Sequence, residues 1–398
     1  MIIKIIANFP AYLLGEAVGR FTFIAQTLHE RGHSVEMIVS DFDHLTKAPR
    51  IIEYEKYPFK ITAIHERGYK GNVSVQRLIS HYFWGKRVGS YLRGLAERPD
   101  VVYAAIPSLT AARQASRYCK KVGAIFIIDI QDLWPEAFKV ALKSKLIAPF
   151  FIPFDCYANG AYKDADIVIG VSDTYRNRGL RVNRKGKNEL TVFIGNDAEK
   201  FDAAKTQYAV AKPDSEYWLA YVGAMGYSYD LHCAIDAISI ATQRKPGQSI
   251  KLVAMGAGPL LEEYRNYAQC KGVHSEFTGP LPYAEMVGLL CSCDATVNCL
   301  RPGAAQSITN KVGDYALSGL PVINTQENEE YRKIVEKYKC GINCKCGDAE
   351  EVANALVYLM DHNKEAEEMG RNSRRLGLER FDRPSAYKKI INVIENQQ

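Results

Sequence analysis

The stretch SITNKVGDYALSGLPVI, residues 307–323, has the pattern of a short helix followed by a buried strand. Polar residues that can cap a helix open it, and we predict about three helical turns, a stop at Gly319 and then an apolar strand. Lys311 and Asp314 lie one turn apart near the start of this helix. Such a pair can form a solvated ion pair, or it can belong to a site for a charged ligand at the helix N-terminus.

The same strand–helix alternation fills the first half of the chain. Short runs rich in Ile, Val and Ala are separated by segments with helical periodicity and by polar turns. Because these runs are apolar on both faces, we expect a parallel sheet with helices on both sides. The strands predicted in this half span residues 2–7, 34–40, 100–105, 124–130, 165–172 and 189–196.

The alternation starts again after a polar segment at 197–216. The strands predicted there span residues 217–223, 249–256, 274–281, 294–300 and 320–325. We therefore predict an α/β protein with two Rossmann-like, doubly wound domains that face each other across a cleft. The predicted boundaries are 1–196 for the first domain, 197–382 for the second, and 383–398 for a last helix that packs back on the first.

The composition is that of a soluble globular protein with a sizeable core. Of the 398 residues, 47% are hydrophobic and 24% are charged, and the net charge is +6. This small excess suits anionic small ligands or an anionic membrane surface, and it is too weak to indicate nucleic-acid binding.

No apolar run approaches the roughly 20 residues that span a bilayer, and IIKIIA at 2–7 has the pattern of a first strand rather than of a signal peptide. The ten cysteines lack zinc-type spacing, so we expect reduced thiols in a cytoplasmic protein.

The surroundings of Lys311 are compatible with a ligand site, and the solvated ion pair remains the alternative at this point. It begins a helix that follows a strand and the glycine-containing loop CLRPGAAQSIT at 299–309, and such a helix start offers free N–H groups and a positive dipole to an anion. Arg301 in that loop adds a second positive charge. The two cations together can neutralise a diphosphate, and Asp314 on the same helix face can accept hydrogen bonds from ribose hydroxyls.

Four motifs of the chain occur together in one known family. They are NKVGDYALSGLPVI at 310–323, FIGNDAEKF at 193–201, MGAGPLLEEY at 255–264 and EFTGPLPYAEM at 276–286. They resemble the donor-sugar signature, the interdomain segment and the two nucleotide-side loops of the family 4 glycosyltransferases, whose paired Rossmann-like domains are called GT-B. A fifth motif, DIQDLWPEAF at 129–138, resembles the DLWPE-type branch of bacterial transferases that act on amino-sugar-containing surface polysaccharides.

The resemblance implies a role for each matching residue. Lys311 and Arg301 would neutralise the donor diphosphate during catalysis, with Gln306 beside the sugar. Asp314 would hold the ribose. The remaining donor-binding residues implied in this way are Asn310, Gly223, Gly256, Gly258, Pro259, Gly279 and Leu281.

The chain departs from the family pattern at two places. Gln306 stands eight positions before Asp314, where many relatives have the first glutamate of a pair, and glutamine can hydrogen-bond a sugar hydroxyl but carries no charge. After the first strand of the second domain, GAMGYSYDL at 223–231 lacks the arginine and lysine that many relatives place there. Lys311 and Arg301 are therefore expected to supply the positive charge of the site.

GEAVGR at 15–20 lies in the first domain, where the family binds its acceptor. It does not fit the G-x-G-x-x-G pattern, which argues against a dinucleotide-dependent oxidoreductase. Gly15 and Gly19 either approach the acceptor, as the resemblance implies, or are plain turn glycines.

The DLWPE motif is a second candidate for acceptor or sugar binding. Trp134 can stack on a sugar face, while Asp132 or Glu136 can bind hydroxyls. The alternative is a structural bend at Pro135 with solvated acids. The apolar, lysine-containing segment at 138–157 that follows can dock on anionic lipid, or it can simply be buried.

These features together predict a retaining, metal-independent glycosyltransferase without a cofactor. The donor would be a UDP-sugar, and the transferred sugar would be an N-acetylamino sugar. The acceptor would be a polyprenyl-linked or oligosaccharide precursor of O-antigen, capsule or lipopolysaccharide. The enzyme would be cytoplasmic, with peripheral contact at the inner face of the plasma membrane. Two alternatives are a non-hydrolysing UDP-sugar epimerase, for which His232, His274 and His362 are the only histidines of the second half, and a silent binding subunit of a polysaccharide assembly complex.

Overall fold

The computed structural model describes residues 1–10, 13, 19–71, 74–136, 152–183, 185, 188–304 and 308–397. The chain divides into two compact units. Unit 1 comprises Met1–Val192 together with Tyr387–Gln398, and unit 2 comprises Phe193–Ala386. Each unit is built on a parallel sheet with helical crossovers, so the predicted α/β class with two Rossmann-like domains is confirmed.

The described strands of unit 1 form a parallel sheet in the order β3-β2-β1-β4-β5-β6-β7. They are β1 (Ile2–Ala7), β2 (Ser34–Ser40), β3 (Lys60–Ile64), β4 (Val101–Ile106), β5 (Ile125–Ile130), β6 (Ile167–Gly170) and β7 (Asn188–Thr191). β1 pairs with β2 on one side and with β4 on the other. The winding direction reverses at this point, and ligands of doubly wound sheets bind at the carboxyl ends of the strands beside it.

The described helices of unit 1 are α1 (Arg20–Glu30), α2 (Val75–Arg93), α3 (Leu109–Val122), α4 (Ile152–Asp164) and α5 (Asp173–Leu180). Serine caps set the start of two of them. The Ser74 hydroxyl accepts a hydrogen bond from the Arg77 N–H, and the Ser172 hydroxyl accepts one from the Tyr175 N–H. α2, α3 and α4 bury small and large apolar side chains on one face of the sheet, around Trp84.

The described strands of unit 2 form a parallel sheet in the order β10-β9-β8-β11-β12-β13. They are β8 (Glu216–Val222), β9 (Ser249–Met255), β10 (His274–Gly279), β11 (Ala295–Asn298), β12 (Val322–Asn324) and β13 (Gly341–Asn343). The described helices are α6 (Ala198–Gln207), α7 (Leu231–Arg244), α8 (Leu261–Cys270), α9 (Tyr283–Cys291), α10 (Lys311–Ser318), α11 (Glu329–Tyr338), α12 (Ala349–Asp361) and α13 (Asn363–Leu376). They cover both faces of the sheet with two apolar clusters.

The last helix, α14 (Arg383–Glu395), enters unit 1 from Tyr387 onward. There the Tyr387 ring packs edge-on against Phe23 of α1, with ring centroids 5.5 Å apart. The Glu395 carboxylate accepts a hydrogen bond from Arg31 at the other end of α1, at 2.7 Å.

The helix of the 307–323 stretch is shorter than predicted. α10 has eight residues, Lys311–Ser318, instead of about three turns. Asn310 occupies the N-cap position without a side-chain hydrogen bond to the helix, because its own backbone is already helical, with φ −60° and ψ −36°. Gly319 ends the helix in the left-handed conformation, as predicted, with φ +73°.

Candidate functional site

Glycine loops gather at the carboxyl ends of β8, β9 and β10 in unit 2. Gly223 follows β8, Gly256 follows β9 and Gly279 ends β10. The loops are tied together through the backbone, since the Gly223 N–H donates to the Met255 carbonyl at 2.8 Å and the Gly256 N–H donates to the Gly279 carbonyl at 2.9 Å. The three predicted glycines therefore lie next to one another at one edge of the sheet.

The turn after β9 requires glycine. At Gly256, φ is +140°, and an added Cβ would lie 2.0 Å from the Gly223 carbonyl oxygen. At Gly258, an added Cβ would lie 2.3 Å from the Met225 carbonyl oxygen. The loops can pack this closely only because neither position carries a side chain.

Lys311 lies inside this arrangement and not on the surface. Its residue is 6% exposed, and its Nζ has no hydrogen-bond partner among the described residues. The Nζ is 3.8 Å from the centroid of the Tyr221 ring and 4.0 Å from that of Tyr229, so the amine is held between two aromatic faces. Gly223 has φ +121°, which disfavours any side chain there, and an added Cβ would also lie 3.3 Å from Lys311 Cε.

Burial changes the protonation of Lys311. Desolvation lowers the pKa of the amine from 10.5 to about 7, and the nearby Cys299 thiol acts in the opposite direction. An amine with this pKa gains a proton readily when an anion approaches. Perturbed amines of this kind are concentrated at binding and catalytic sites.

Asp314 does not pair with Lys311. Its Oδ1 instead accepts hydrogen bonds from the Asn196 amide at 2.6 Å and from the Tyr283 hydroxyl at 2.8 Å. Burial raises the pKa of this carboxyl to about 6, although the two hydrogen bonds and the charge of Arg383 act against the rise. The solvated ion pair that the spacing allows is therefore not formed, because both side chains are buried and each has other contacts.

Arg301 supports the tyrosine that contacts the lysine. It lies in the loop after β11, and its Nε donates to the Tyr229 carbonyl at 3.2 Å. Its own N–H donates to the Ser228 carbonyl at 3.0 Å. The predicted second cation is thus brought next to the 223–231 loop, on the backbone side of the Tyr229 ring that contacts Lys311.

The other residues predicted to bind the donor make fewer contacts than Lys311 does. Asn310 and Pro259 are exposed, Gly279 has open space where a side chain would be, and Leu281 packs partly buried on the apolar cluster beneath. Gln306 lies outside the described residues, and its predicted place beside the sugar stays a prediction.

The first-domain candidates have structural partners. Trp134 is buried, and its Nε1 donates to Asp132 Oδ2 at 3.0 Å. Glu136 accepts a hydrogen bond from Arg178. The Gly19 carbonyl accepts from the Phe23 N–H at 3.0 Å at the start of α1. Gly15 and most of the 138–157 segment lie outside the described residues.

Sequence reasoning missed the aromatic surroundings of Lys311. Tyr229 belongs to GAMGYSYDL, the stretch noted for its missing arginine and lysine, and Tyr221 is the penultimate residue of β8. The sequence did contain a signal for these surroundings, because a tyrosine lies on each side of Gly223 at the end of β8. Among the described residues, no group of three or more His, Cys, Asp or Glu side chains is placed to hold a metal ion.

Comparison with known proteins identifies the fold. Residues 216–362 match the family described as "Glycosyl transferases group 1". The crystal structure of Alr3699/HepE from Anabaena in complex with UDP is similar over 100% of both chains, with a TM-score of 0.71 and 15% identity. Sucrose-phosphate synthase from Thermosynechococcus elongatus is similar over 99% of this chain and 98% of its own, with a TM-score of 0.71 and 17% identity.

A third similar structure is WaaG, a glycosyltransferase involved in lipopolysaccharide biosynthesis. It is similar over 99% of both chains, with a TM-score of 0.66 and 15% identity. No curated protein sequence matches the chain significantly. The fold is therefore GT-B, and most of unit 2 is similar in sequence to group 1 glycosyl transferases.

Proposed function

We propose that this protein is a retaining glycosyltransferase that takes its sugar from a UDP-sugar. The observation that carries the proposal is the position of Lys311, a buried amine without a hydrogen-bond partner among the described residues, at a helix start beside three glycine loops. Matches to group 1 glycosyl transferases over 216–362 and to the fold of a protein crystallised with UDP support it.

Lys311 would act on the leaving group. As the glycosidic bond to the donor breaks, negative charge grows on the β-phosphate. A cation at this place stabilises the transition state more than the ground state, and its low-dielectric surroundings strengthen the effect. Arg301 would assist from the loop after β11, and Asp314 would hold the ribose through the carboxylate oxygen that Tyr283 and Asn196 leave available.

The retaining course is supported by the carboxylate nearest to Lys311 in the sequence. Asp314 already accepts two hydrogen bonds through its Oδ1 and is assigned here to the ribose, so it is not left to act as a general base. In the proposed mechanism the departing phosphate itself takes the proton of the acceptor hydroxyl. The charge of the diphosphate is met by side chains, so no metal ion is required.

The proposals for the transferred sugar and the acceptor rest on one sequence motif and one similar structure. The DLWPE motif at 132–136 resembles transferases of amino-sugar-containing polysaccharides, and WaaG is involved in lipopolysaccharide biosynthesis. We therefore propose that the transferred sugar is an N-acetylamino sugar and that the acceptor is a polyprenyl-linked precursor of a bacterial surface polysaccharide.

Lipid-linked acceptors would place the enzyme at the inner face of the plasma membrane. No described helix is both long and apolar enough to cross a bilayer. One face of α2 carries exposed apolar side chains at helical spacing, namely Val75, Ile79, Tyr82 and Phe83. Shallow insertion of this face is compatible with a peripheral contact.

The test combines binding and turnover. UDP binding is measured by isothermal titration calorimetry, and transfer is measured by mass spectrometry with a panel of UDP-sugars and lipid-linked acceptors. We expect UDP to bind and Lys311→Ala to lower kcat/KM by several orders of magnitude, with turnover unaffected by EDTA. Near-normal transfer by folded Lys311→Ala would refute the role of the lysine.

The same assay separates the two alternatives. An epimerase would convert UDP-N-acetylglucosamine without an acceptor, and a binding subunit would bind UDP without transfer to any acceptor. The histidines of unit 2 have other contacts, since His232 lies 3.2 Å from Glu263 and His362 stacks on Tyr358. This arrangement favours transfer over epimerisation.

A further inference from the structure

The first and the last segment of unit 2 lie side by side. Unit 2 comprises Phe193–Ala386, so the chain passes from one unit to the other at both of its ends. Its first residues, 193–198, and its last residues, 381–386, are connected by hydrogen bonds. We call these two segments together the crossing strap. Anything that orders the strap therefore acts on both passages of the chain at once.

The backbone of Asn196 is bonded on both sides to the returning segment. Its N–H donates to the Phe381 carbonyl at 2.9 Å, and its carbonyl accepts from the Arg383 N–H at 2.7 Å. The Arg383 guanidinium also donates to the Gly195 carbonyl at 2.7 Å. These bonds fix the position from which the Asn196 side chain extends.

The two segments of the strap also pack closely against each other. At Gly195, φ is +57°, and an added Cβ would lie 2.2 Å from the Phe381 carbonyl oxygen. The rings of Phe193 and Phe381 stack with centroids 4.9 Å apart, and both residues are buried. The Ala198 N–H donates to the Asp382 carboxylate at 3.2 Å. Backbone, side-chain and ring contacts thus join the segments.

The Asn196 side chain connects the strap to the proposed donor site. Its amide donates to Asp314 Oδ1 at 2.6 Å, and the Tyr283 hydroxyl donates to the same oxygen at 2.8 Å. Burial raises the pKa of the Asp314 carboxyl to about 6, and the charge of Arg383, which also belongs to the strap, acts against this rise. Neither of the two hydrogen bonds uses Oδ2, so this oxygen is left for a ligand.

Asp314 can transmit an effect of the ligand to the strap. A ribose hydroxyl bound to Oδ2 would fix the plane of the carboxylate and favour its ionised form. An ionised acceptor strengthens the hydrogen bond that the Asn196 amide donates to Oδ1. Coupling between two such events is reciprocal, so a paired strap in turn favours the bound ligand.

We infer that Asn196 is a positioning residue that couples occupation of the donor site to the pairing of the crossing strap. A nucleoside diphosphate would stabilise the strap through its ribose, and the strap would hold Asp314 in the orientation that binds the ribose. The inference rests on the proposed function in one respect, namely that Asp314 holds the ribose of the donor. It goes beyond that function because it assigns to the strap a response to the donor.

The test measures how fast the amides of the strap exchange with deuterium in the full chain. Mass spectrometry follows the peptides that cover 193–198 and 381–386, without UDP and with UDP at a concentration that saturates each variant. In the wild type, we expect UDP to slow this exchange on the order of tenfold. In Asn196→Ala, UDP should bind more weakly by a similar factor, because coupling is reciprocal, and at saturation it should leave strap exchange unchanged.

Tyr283→Phe is the matched comparison for Asn196→Ala. It removes the other hydrogen bond to the same carboxylate oxygen without changing a residue of the strap. UDP affinity should fall in this variant too, but saturating UDP should still slow strap exchange. A purely structural role of Asn196 predicts a different result, since Asn196→Ala would then raise strap exchange equally with and without UDP.

A second variant keeps the test decisive if Asn196→Ala fails to fold. Asn196→Leu has a similar volume and no donor, so it should also lose the response to UDP. Slowing by UDP that persists in the folded Asn196 variants, or that is lost in Tyr283→Phe as well, would overturn the inference. Slowing of wild-type exchange by pyrophosphate to the same extent as by UDP would also overturn it, because pyrophosphate has no ribose.

The same measurements separate the inference from the proposed function. UDP binding without any slowing of strap exchange in the wild type would overturn the inference alone and leave the proposed donor in place. Absence of UDP binding would instead defeat the proposed donor, and the inference with it.

Discussion

Lys311 combines a functional position with an unfavourable environment. Few lysines are buried without a partner, because desolvating an ammonium destabilises the folded state. Here Tyr221 and Tyr229 offset part of this effect through their ring faces, which lie 3.8 Å and 4.0 Å from the amine. A site kept in this state before the donor arrives is ready to stabilise charge that develops later.

Replacing Lys311 with methionine should stabilise the fold while it abolishes transfer. The pKa of the amine falls from 10.5 to about 7 on folding. The unfolded chain therefore binds more protons than the folded one between pH 7 and 10.5, and stability rises with pH across this window. Below pH 7 the burial penalty is full, so Lys311→Met should add on the order of 2–4 kcal/mol there and progressively less above.

Urea unfolding between pH 6 and pH 10 measures this difference. Lys333→Met is the control, since Lys333 is an exposed lysine paired with Glu329 and should change stability little at any pH. A Lys311→Met variant less stable than the wild type at pH 6 would show that the amine has a stabilising partner in solution.

The sequence predicted Lys311, Asp314 and Arg301 as neighbours, and the structure brings them to one sheet edge. Their local spacing and the loop between them were enough, because all three follow the end of one strand. The contacts of Tyr229 and Asn196 were not predictable, since each reaches the site from a loop distant in the chain. Pairings of this kind depend on strand order, which local periodicity does not contain.

The glycine loops are the element that gives Lys311 its place. Gly223, Gly256 and Gly258 each bring one loop close to another, and two of them have positive φ. These contacts hold the ends of β8 and β9 in a fixed relation to the start of α10. The backbone of the site is therefore closely packed even though it lies on loops.

Gly256→Ala should be strongly destabilising. The new Cβ would lie 2.0 Å from a backbone oxygen, and the position has φ +140°, so both the steric and the conformational terms are unfavourable. We expect a loss of about 2–4 kcal/mol or failure to fold. Gly226→Ala is the control in the neighbouring loop, because an added Cβ there meets nothing within 4 Å.

Thermal melting of the two variants checks this expectation. A Gly256→Ala variant as stable as Gly226→Ala would mean that the 255–259 turn relaxes freely. In that case the loop would not hold Lys311 in place.

The sequence predicted the long, apolar strands of both sheets, but it did not predict two of the edge strands. β3 (Lys60–Ile64) and β13 (Gly341–Asn343) were not predicted. Both are edge strands that pair on one side only, with partly exposed residues, so their sequences lack the continuous apolar run of a central strand. They are strands because each forms hydrogen bonds with its one neighbouring strand, and not because of local propensity.

At the scale of the whole molecule, the chain returns to unit 1 after completing unit 2. The first unit contains Met1–Val192 and also Tyr387–Gln398. The sequence indicated this only indirectly, because the last helix falls outside the strand–helix alternation. Within unit 1 this segment buries Tyr387, Ile390, Ile391 and Ile394 almost completely. Unit 1 is therefore incomplete until the C-terminal end of the chain has been added.

Tyr387 is the residue through which this dependence can be measured. Its ring lies 5.5 Å from Phe23, and the Arg20 guanidinium is 4.8 Å from its centroid. Arg20 in turn donates to the buried Asp129 at 2.7 Å, so loss of the ring also disturbs an ion pair at the end of β5. Tyr387→Ala should lower the unfolding free energy of unit 1 by about 3–5 kcal/mol.

Tryptophan fluorescence can follow unit 1 alone. Of the three tryptophans, Trp84 and Trp134 lie in unit 1 and Trp218 lies in unit 2, so a Trp218→Phe background leaves reporters in the first unit only. In that background, Tyr387→Ala should shift the urea midpoint downward. Leu45→Ala, which removes a side chain that is 69% exposed from the loop after β2, should not, because that side chain contributes little buried area. Equal midpoints for the two variants would mean that unit 1 folds without its C-terminal segment, and truncation after residue 386 should then leave the fluorescence transition intact.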